Sequence, residues 1–340
     1  MKCDKIMKIV VDNKIPYIEG RLEGAADVVY ASPADINRDL VKDADAVLVR
    51  TRTKCNKDLF DGTRVKLVAT GTIGMDHIDR EWCEGNGIAV ANSAGCNAPG
   101  VAQYVWSSLL RNGFDLKRDT LGIIGHGNIG TIVADWGQRM GAKILVNDPP
   151  RRQAGYENAD YVDLDYLLEH SDAVTLHVPL TREGEHKTYR LIGTKELDKM
   201  KPGSILVNAS RGGVVDEDAW MKAISERGIK AIVDVWEGEP AINKKLLEMA
   251  IVATPHIAGY SRQGKSRATR MVLEAVERVL GIEADTAGLE PPYVAPSGKI
   301  DPSTITCSYD PNEYGSVLRQ DPDDFENIRE SYIYREEPKF

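Results

Sequence analysis

Thr120-Leu121-Gly122-Ile123-Ile124-Gly125-His126-Gly127-Asn128-Ile129-Gly130 opens the stretch that decides the fold of this 340-residue chain. Leu121–Ile124 is a short apolar run and reads as a buried parallel strand. Thr131–Met140 follows as a helix, and Ile144-Leu145-Val146 supplies a second strand that closes on Asn147-Asp148. A lone G-x-G-x-x-G is a weak signal. Strand, glycine turn, helix, strand and acid, in that order over about thirty residues, is a specific one for a dinucleotide-binding βαβ unit. Gly125 allows the tight turn, and Gly127, with Asn128 and Ile129 beside it, lets backbone N–H groups approach a pyrophosphate. Gly130 lets helix and strand pack closely. Asp148 stands where it accepts hydrogen bonds from ribose hydroxyls and repels a 2′-phosphate, so NAD is the expected cofactor.

Working outward, the chain reads as two α/β series. Before the glycine turn, Ile9–Val11, Val28–Ala31, Ala46–Val49, Leu67–Ala69 and Ile88–Ala91 read as strands, with helices over Ala34–Val41 and Arg80–Asn86. Strands alternating with helices imply a parallel sheet covered on both faces, here a smaller flavodoxin-like domain. Asn97-Ala98-Pro99 starts a connecting helix to about Arg111. After the turn come strands at Ala173–His177, Ile205–Asn208, Ala231–Val233 and Ile251–Ala253, with helices over Asp163–Glu169, Thr194–Met200 and Asp216–Glu226. Together they predict a Rossmann-type doubly wound sheet. A long helix over Arg262–Leu280, stopped by Gly281, returns to the first domain. The expected division is 1–96 with 260–282 for substrate, 97–259 for the dinucleotide, and a short dimerisation segment over 283–340. In that last segment Ser303–Tyr309 reads as a strand and Asp323–Tyr332 as a helix. A disordered acidic tail competes with this reading, but Phe325, Ile328, Tyr332 and Tyr334 are apolar anchors that such a tail does not need.

A composition 42 % hydrophobic and 28 % charged is that of an ordinary globular protein, with no apolar run long enough to span a membrane. The net charge of −9 is concentrated in 283–340, which holds thirteen acids against five bases. No basic face emerges, which argues against nucleic-acid binding. The five cysteines (Cys3, Cys55, Cys83, Cys96, Cys307) are scattered, with no C-x-x-C. Reduced thiols in a cytoplasmic protein are expected, with no bound metal and no disulfide framework.

Three later segments fall at carboxyl ends of expected strands, where open parallel sheets bind ligands. In Asn208-Ala209-Ser210-Arg211-Gly212-Gly213, Arg211 offers a planar fork suited to a carboxylate. Asp234-Val235-Trp236-Glu237-Gly238-Glu239 and Thr254-Pro255-His256-Ile257-Ala258-Gly259 supply an acid and a histidine. A glutamate bonded to an imidazole fixes its orientation and makes it a general acid or base near neutral pH. In the first series, Arg50-Thr51-Arg52-Thr53-Lys54 at a strand end is the candidate phosphate site, with Thr72 in the next loop.

The set GHGNIG with Asp148, NASRGGVVDEDA, DVWEGEP and TPHIAGY resembles the D-isomer-specific 2-hydroxyacid dehydrogenase family. The resemblance implies that Arg211 binds the substrate carboxylate, Glu239 supports His256, and His256 moves the proton while NAD takes hydride. It implies cofactor contacts at Val178, Ala209, Ser210, Asp234 and Gly259, and substrate contacts at Thr51, Thr72 and Tyr260. One branch fits best, through MKIVVDNKIPY, VRTRTKCN, GTIGMDHID, NSAGCNAPGVAQYV and HIAGYSRQGKSRAT. That branch acts on a phosphorylated small-molecule 2-hydroxyacid and carries a carboxyl-terminal dimerisation domain, so a homodimer is expected. Gln103 stands where the family pattern leads one to expect an acid. A further expectation is that Arg329 or Arg335 of the tail reaches the substrate phosphate. Competing readings are a relative acting on 3-phosphoglycerate or an unphosphorylated hydroxyacid, and a non-enzymatic NADH-sensing corepressor.

Overall fold

The computed structural model describes residues 6–157 and 159–340; Cys3 lies outside them. The chain divides into two compact units, one running through Asn97 and including Arg262–Tyr293, the other Ala98–Ser261 with Val294–Phe340.

In the first unit, β1 (Lys8–Asp12), β2 (Asp27–Ala31), β3 (Ala46–Val49), β4 (Leu67–Thr70) and β5 (Ala89–Asn92) form one parallel sheet, ordered β2-β1-β3-β4-β5. AVLV in β3 and LVAT in β4 are buried along their whole length, as strands covered on both faces must be. Val272, Leu273 and Val276 of the helix Arg262–Leu280 cover one face, and Leu59, Phe60 and Cys83 cover the other. Strand order reverses between β1 and β3, which opens a crevice at their carboxyl ends. Asp12 is buried there and accepts hydrogen bonds from the Arg50 N–H (3.2 Å) and the Lys14 N–H (2.8 Å).

The second unit holds β6 (Thr120–Ile124), β7 (Lys143–Asn147), β8 (Ala173–Leu176), β9 (Ile205–Asn208), β10 (Lys230–Val233) and β11 (Val252–Ala253). They are parallel in the order β11-β10-β9-β8-β6-β7. Tyr161 adds a single parallel bridge to Val146 outside β7. Counted as a vestigial strand, that bridge completes the order of a Rossmann sheet, with β11 added at the far edge. The switch point lies between β6 and β8, so the glycine turn after β6 and His177-Val178 after β8 share one crevice. Helices Ala98–Arg111 and Asn128–Met140 pack on each other, with Trp106 Nε1 donating to Val133 O at 2.9 Å. Elsewhere Leu167, Leu206, Trp220 and Leu246 form the main core.

The tail departs most from expectation. It is neither disordered nor a separate piece: 294–340 belongs to the second unit, and Leu318, Phe325 and Ile328 enter its core. The strand expected over Ser303–Tyr309 is the helix Pro302–Ser308. Its β-branched residues favour a strand, but Asp301 caps the Ser303 N–H and Pro302 sits in the first turn, and those helix-start signals win. The helix expected over Asp323–Tyr332 is a 3₁₀ turn, Pro322–Asp324, followed by Phe325–Glu330. Cys55, Cys83 and Cys96 are buried and Cys307 is exposed, and none of the four is in a disulfide. Among the described residues, no helix is long and apolar enough to cross a membrane.

Candidate active site

The glycine turn is built by close backbone approach. Gly125 has φ +92°, and a Cβ there would meet His177 O at 2.5 Å. A Cβ on Gly130 would lie 2.0 Å from Gly125 O, so no larger residue fits while the turn keeps its shape. Gly127 caps the helix Asn128–Met140 without a side-chain bond, and a Cβ there would meet open space. A helix N-terminus left open in this way fits a pyrophosphate. Asp148, at the end of β7, accepts from the His126 N–H at 2.7 Å and from the Arg151 N–H at 3.0 Å. It therefore fastens the glycine turn to β7 and caps the helix Pro149–Gln153, a helix not foreseen from the sequence. His177 behind the turn is buried, and burial pushes its pKa down to about 3.

After β9, Asn208 holds the next loop. Its Oδ1 accepts from Ser210 N (3.2 Å) and Ser210 Oγ (2.9 Å), and its Nδ2 donates to Arg211 O at 3.0 Å. Ala209 and Ser210 are buried, whereas Arg211 is half-buried with Nη1 donating to Ser210 O at 2.7 Å.

His256 and Glu239 meet as expected: His256 Nδ1 lies 2.8 Å from Glu239 Oε2. Glu239 Oε1 accepts from the Trp236 N–H at 2.9 Å. Burial would raise this carboxyl, but the His256 hydrogen bond and charge, the Trp236 N–H and nearby Arg329 together hold it below the ordinary carboxylate value. With Nδ1–H directed at the carboxylate, Nε2 is the ring nitrogen left to handle a proton. The side chain is 35 % exposed, enough to meet a ligand. His256 has φ +58°, a backbone conformation that costs about 1–3 kcal/mol and persists only when its surroundings enforce it.

Asp234 is one source of that enforcement. Its carbonyl accepts from His256 N (2.8 Å), and its carboxylate accepts from Ile257 N (2.8 Å), Ala258 N (3.0 Å) and Thr254 Oγ1 (2.7 Å). Burial raises its pKa against the pull of His256 and these donors. The residue expected at the cofactor is thus a buried brace for the His256 loop. Gly259 and Tyr260 lie on that loop, and Val178 follows β8. These positions and the glycine turn all sit at the carboxyl edge of one sheet.

In the first unit, Arg50 follows β3 at the switch point. Its Nη1 donates to Lys14 O at 3.1 Å, while its Nε is buried with no partner. Thr51 is exposed. Thr72 Oγ1 bonds Thr70 Oγ1 at 2.7 Å and donates to Gly74 O at 3.1 Å. Among the described residues, no group of three or more His, Cys, Asp or Glu could hold a metal ion.

The tail arginines behave differently from expectation. Arg335 is not available to a substrate phosphate, because its guanidinium is buried and occupied by protein acceptors. Arg329 pairs with Glu326 at 2.6 Å and stands 4.0 Å from Glu239 Oε2, against the histidine's partner. The Glu326 pair is an i,i+3 contact of the kind helical spacing allows, whereas the approach to Glu239 has no signal in residue spacing. The only hint was basic residues kept beside aromatics in an acidic tail.

Residues 88–258 match the model of the D-isomer specific 2-hydroxyacid dehydrogenase NAD binding domain. The chain belongs to this family, and the second unit contains its NAD-binding sheet. Among curated relatives, the erythronate-4-phosphate dehydrogenase of Bacteroides fragilis (strain YCH46) is 43 % identical over 97 % of both chains. That of Escherichia coli O1:K1 / APEC is 39 % identical over 97 % of this chain and 92 % of its own. A solved D-lactate dehydrogenase from Aquifex aeolicus, complexed with NAD and lactic acid, superimposes with TM-score 0.62. It is 26 % identical, covering 81 % of this chain and 95 % of that one.

Proposed function

We propose that this protein is an NAD-dependent erythronate-4-phosphate dehydrogenase, oxidising 4-phospho-D-erythronate to 3-hydroxy-2-oxo-4-phosphobutanoate in the biosynthesis of pyridoxal 5′-phosphate. The observation that carries the chemistry is the 2.8 Å contact of Glu239 with His256 on the ligand-binding edge of an NAD-binding sheet. The substrate rests on near-full-length likeness to relatives of that name.

NAD⁺, when bound, supplies the hydride acceptor. Its proposed holders are Gly125, Gly127, Asn128, Ile129, Gly130, Asp148, Val178, Ala209, Ser210 and Gly259, with Asp234 acting through the loop it braces. Arg211 takes the C1 carboxylate and fixes C2. His256 Nε2 removes the C2 hydroxyl proton, and Glu239 stabilises the imidazolium that forms by accepting from Nδ1–H. Arg50, Thr51 and Thr72 are the proposed phosphate ligands, the buried free Nε of Arg50 being the best-supported donor. Tyr260 is a further proposed substrate contact.

Purified protein with NAD⁺ and, in turn, 4-phospho-D-erythronate, 3-phosphoglycerate and D-lactate tests the reading through NADH formation. A kcat/KM at least about 100-fold higher for the first supports it, since a site built to pair an arginine with phosphate rejects D-lactate, which lacks that group, and 3-phosphoglycerate, one carbon shorter, carries its phosphate out of register with the carboxylate site. Equal or better use of either competitor overturns it.

We further infer a cytoplasmic homodimer joined through the tail, where Ile333 and Val294 are 82 % exposed and Phe340 is 49 % exposed. Sedimentation of the wild type as a monomer at assay concentration would exclude that contact.

A further inference from the structure

One buried side chain of the tail is a cation whose hydrogen bonds all run to neutral acceptors. Arg335 is 9 % exposed, and its guanidinium ends on neutral acceptors. Nε donates to Gln103 Oε1 at 2.8 Å. Nη1 donates to the carbonyls of Ile257 (3.0 Å) and Tyr260 (3.2 Å) and to the Tyr332 hydroxyl (3.2 Å). Nη2 donates to the carbonyls of Gly100 (2.8 Å) and Ala258. The guanidinium also lies 4.2 Å from the centre of the Tyr309 ring. Burying a charge this way is costly unless each donor is matched, so the arrangement is sensitive to small changes.

The carbonyls that Arg335 holds belong to the residues just after His256, and the N–H groups of the same peptide run are held by Asp234. Ile257 and Ala258 are therefore gripped through their N–H groups by a buried carboxylate and through their C=O groups by a buried guanidinium. Between them these charges fix the segment that keeps His256 at positive φ. The tail is secured around Arg335 by its single parallel bridge to Ser261, by Ser261 Oγ donating to Glu337 at 2.6 Å, and by Gln103 Nε2 donating to Glu336 O at 2.9 Å. Gln103 thereby explains its departure from the family pattern. An acid at 103 could accept from Arg335, but only an amide can also donate to a carbonyl.

We propose that Arg335 is a positioning residue: through the clamp it forms with Asp234 on Ile257 and Ala258, the carboxyl-terminal tail holds His256 in working geometry within its own chain. The tail is then part of the catalytic apparatus and not only a surface for assembly. This rests on the dehydrogenase reading for its kinetic consequence, but the clamp itself is measurable without substrate.

The test uses the full-length chain with Arg335→Lys, which keeps the charge and loses the fork, and Arg335→Ala, which opens a guanidinium-sized hole. Hydrogen–deuterium exchange in Arg335→Lys should quicken at least about tenfold in peptides covering 256–260 and stay unchanged over 120–148. NADH affinity should stay within about twofold, while kcat falls about 30- to 100-fold, the scale of a displaced catalytic group. Added guanidinium should restore kcat of Arg335→Ala about tenfold and leave the wild type unaffected. Unchanged exchange over 256–260 in Arg335→Lys overturns the proposal. So does a kcat loss that merely follows loss of folded protein or of NADH binding. If Arg335→Ala does not fold, Arg335→Lys decides alone. A wild type inactive on every 2-hydroxyacid would sink the dehydrogenase reading, and exchange over 256–260 would still judge the clamp.

Discussion

The glycine turn and the His256 loop leave the same edge of the same sheet, yet they are held by opposite means. The turn is fixed mainly within one βαβ unit, by Gly130 against Gly125 and Asp148 on His126, with His177, Val178 and Tyr161 reaching in from just beyond it. The His256 loop takes its shape from Asp234, from Glu239, and from Gly100 and Arg335, which meet over more than two hundred positions of sequence. Cofactor binding can therefore be specified by a short local motif. Proton transfer needs an imidazole placed to a fraction of an ångström, and that takes packed groups from distant segments.

The sharpest way to break this contrast is at the histidine. His256→Ala should lower kcat about 10³-fold in steady-state assays while leaving NADH binding by fluorescence nearly unchanged, since general-base loss falls on chemistry alone. Parallel loss of NADH affinity would mean that the two regions are not separable. Glu239→Gln should lower kcat about 10²-fold with little change in NADH affinity, because the amide keeps the shape of the carboxylate and loses its charge.

The turn should show the converse pattern. Gly130→Ala places a methyl 2.0 Å from Gly125 O. Opening the turn to admit it should weaken NADH binding about thirtyfold by calorimetry, the cost of overpacking a rigid contact. Asp148→Asn removes the charge and keeps an oxygen for one of the two N–H groups Asp148 holds, so the NADP⁺ to NAD⁺ ratio of kcat/KM should rise about tenfold.

The mildest prediction concerns pH. His177 has an ordinary value of 6.5 and is held at about 3 by burial. The unfolded chain therefore binds the extra proton between those values and the folded chain does not. Stability is unaffected by this group above pH 6.5 and falls on acidification below it, by up to about 1.4 kcal/mol per pH unit. Glu239, held below its ordinary 4.5, adds a loss in the same direction once pH drops under that value. Urea titrations at pH 7, 6 and 5 should show the first slope in the wild type and a flatter one in His177→Gln.

Legibility in the sequence tracked how local the cause was. Strands such as Ala46–Val49 and Ile205–Asn208 coincide with their apolar runs, because a strand buried on both faces needs nothing but continuous apolar residues. The Glu239–His256 meeting was legible because parallel strands deliver their carboxyl ends to one edge. Over Ser303–Tyr309 the β-branched composition points to a strand, while the Asp301-Pro302 start signal sets the helix. The strand-end position of Asp234 points to a cofactor contact, whereas its burial follows only from β10 packing between its neighbours.

By itself, the sequence determined a parallel-sheet protein with an NAD-type glycine turn and an arginine, a glutamate and a histidine at strand ends, since each of these follows from short-range order. The tertiary structure alone decided that the acidic tail folds into the NAD-binding unit, that Asp234 faces inward, and that Arg335 grips the carbonyls behind His256. Those outcomes depend on which distant backbone groups are left to satisfy a buried charge, and no spacing along the chain records that.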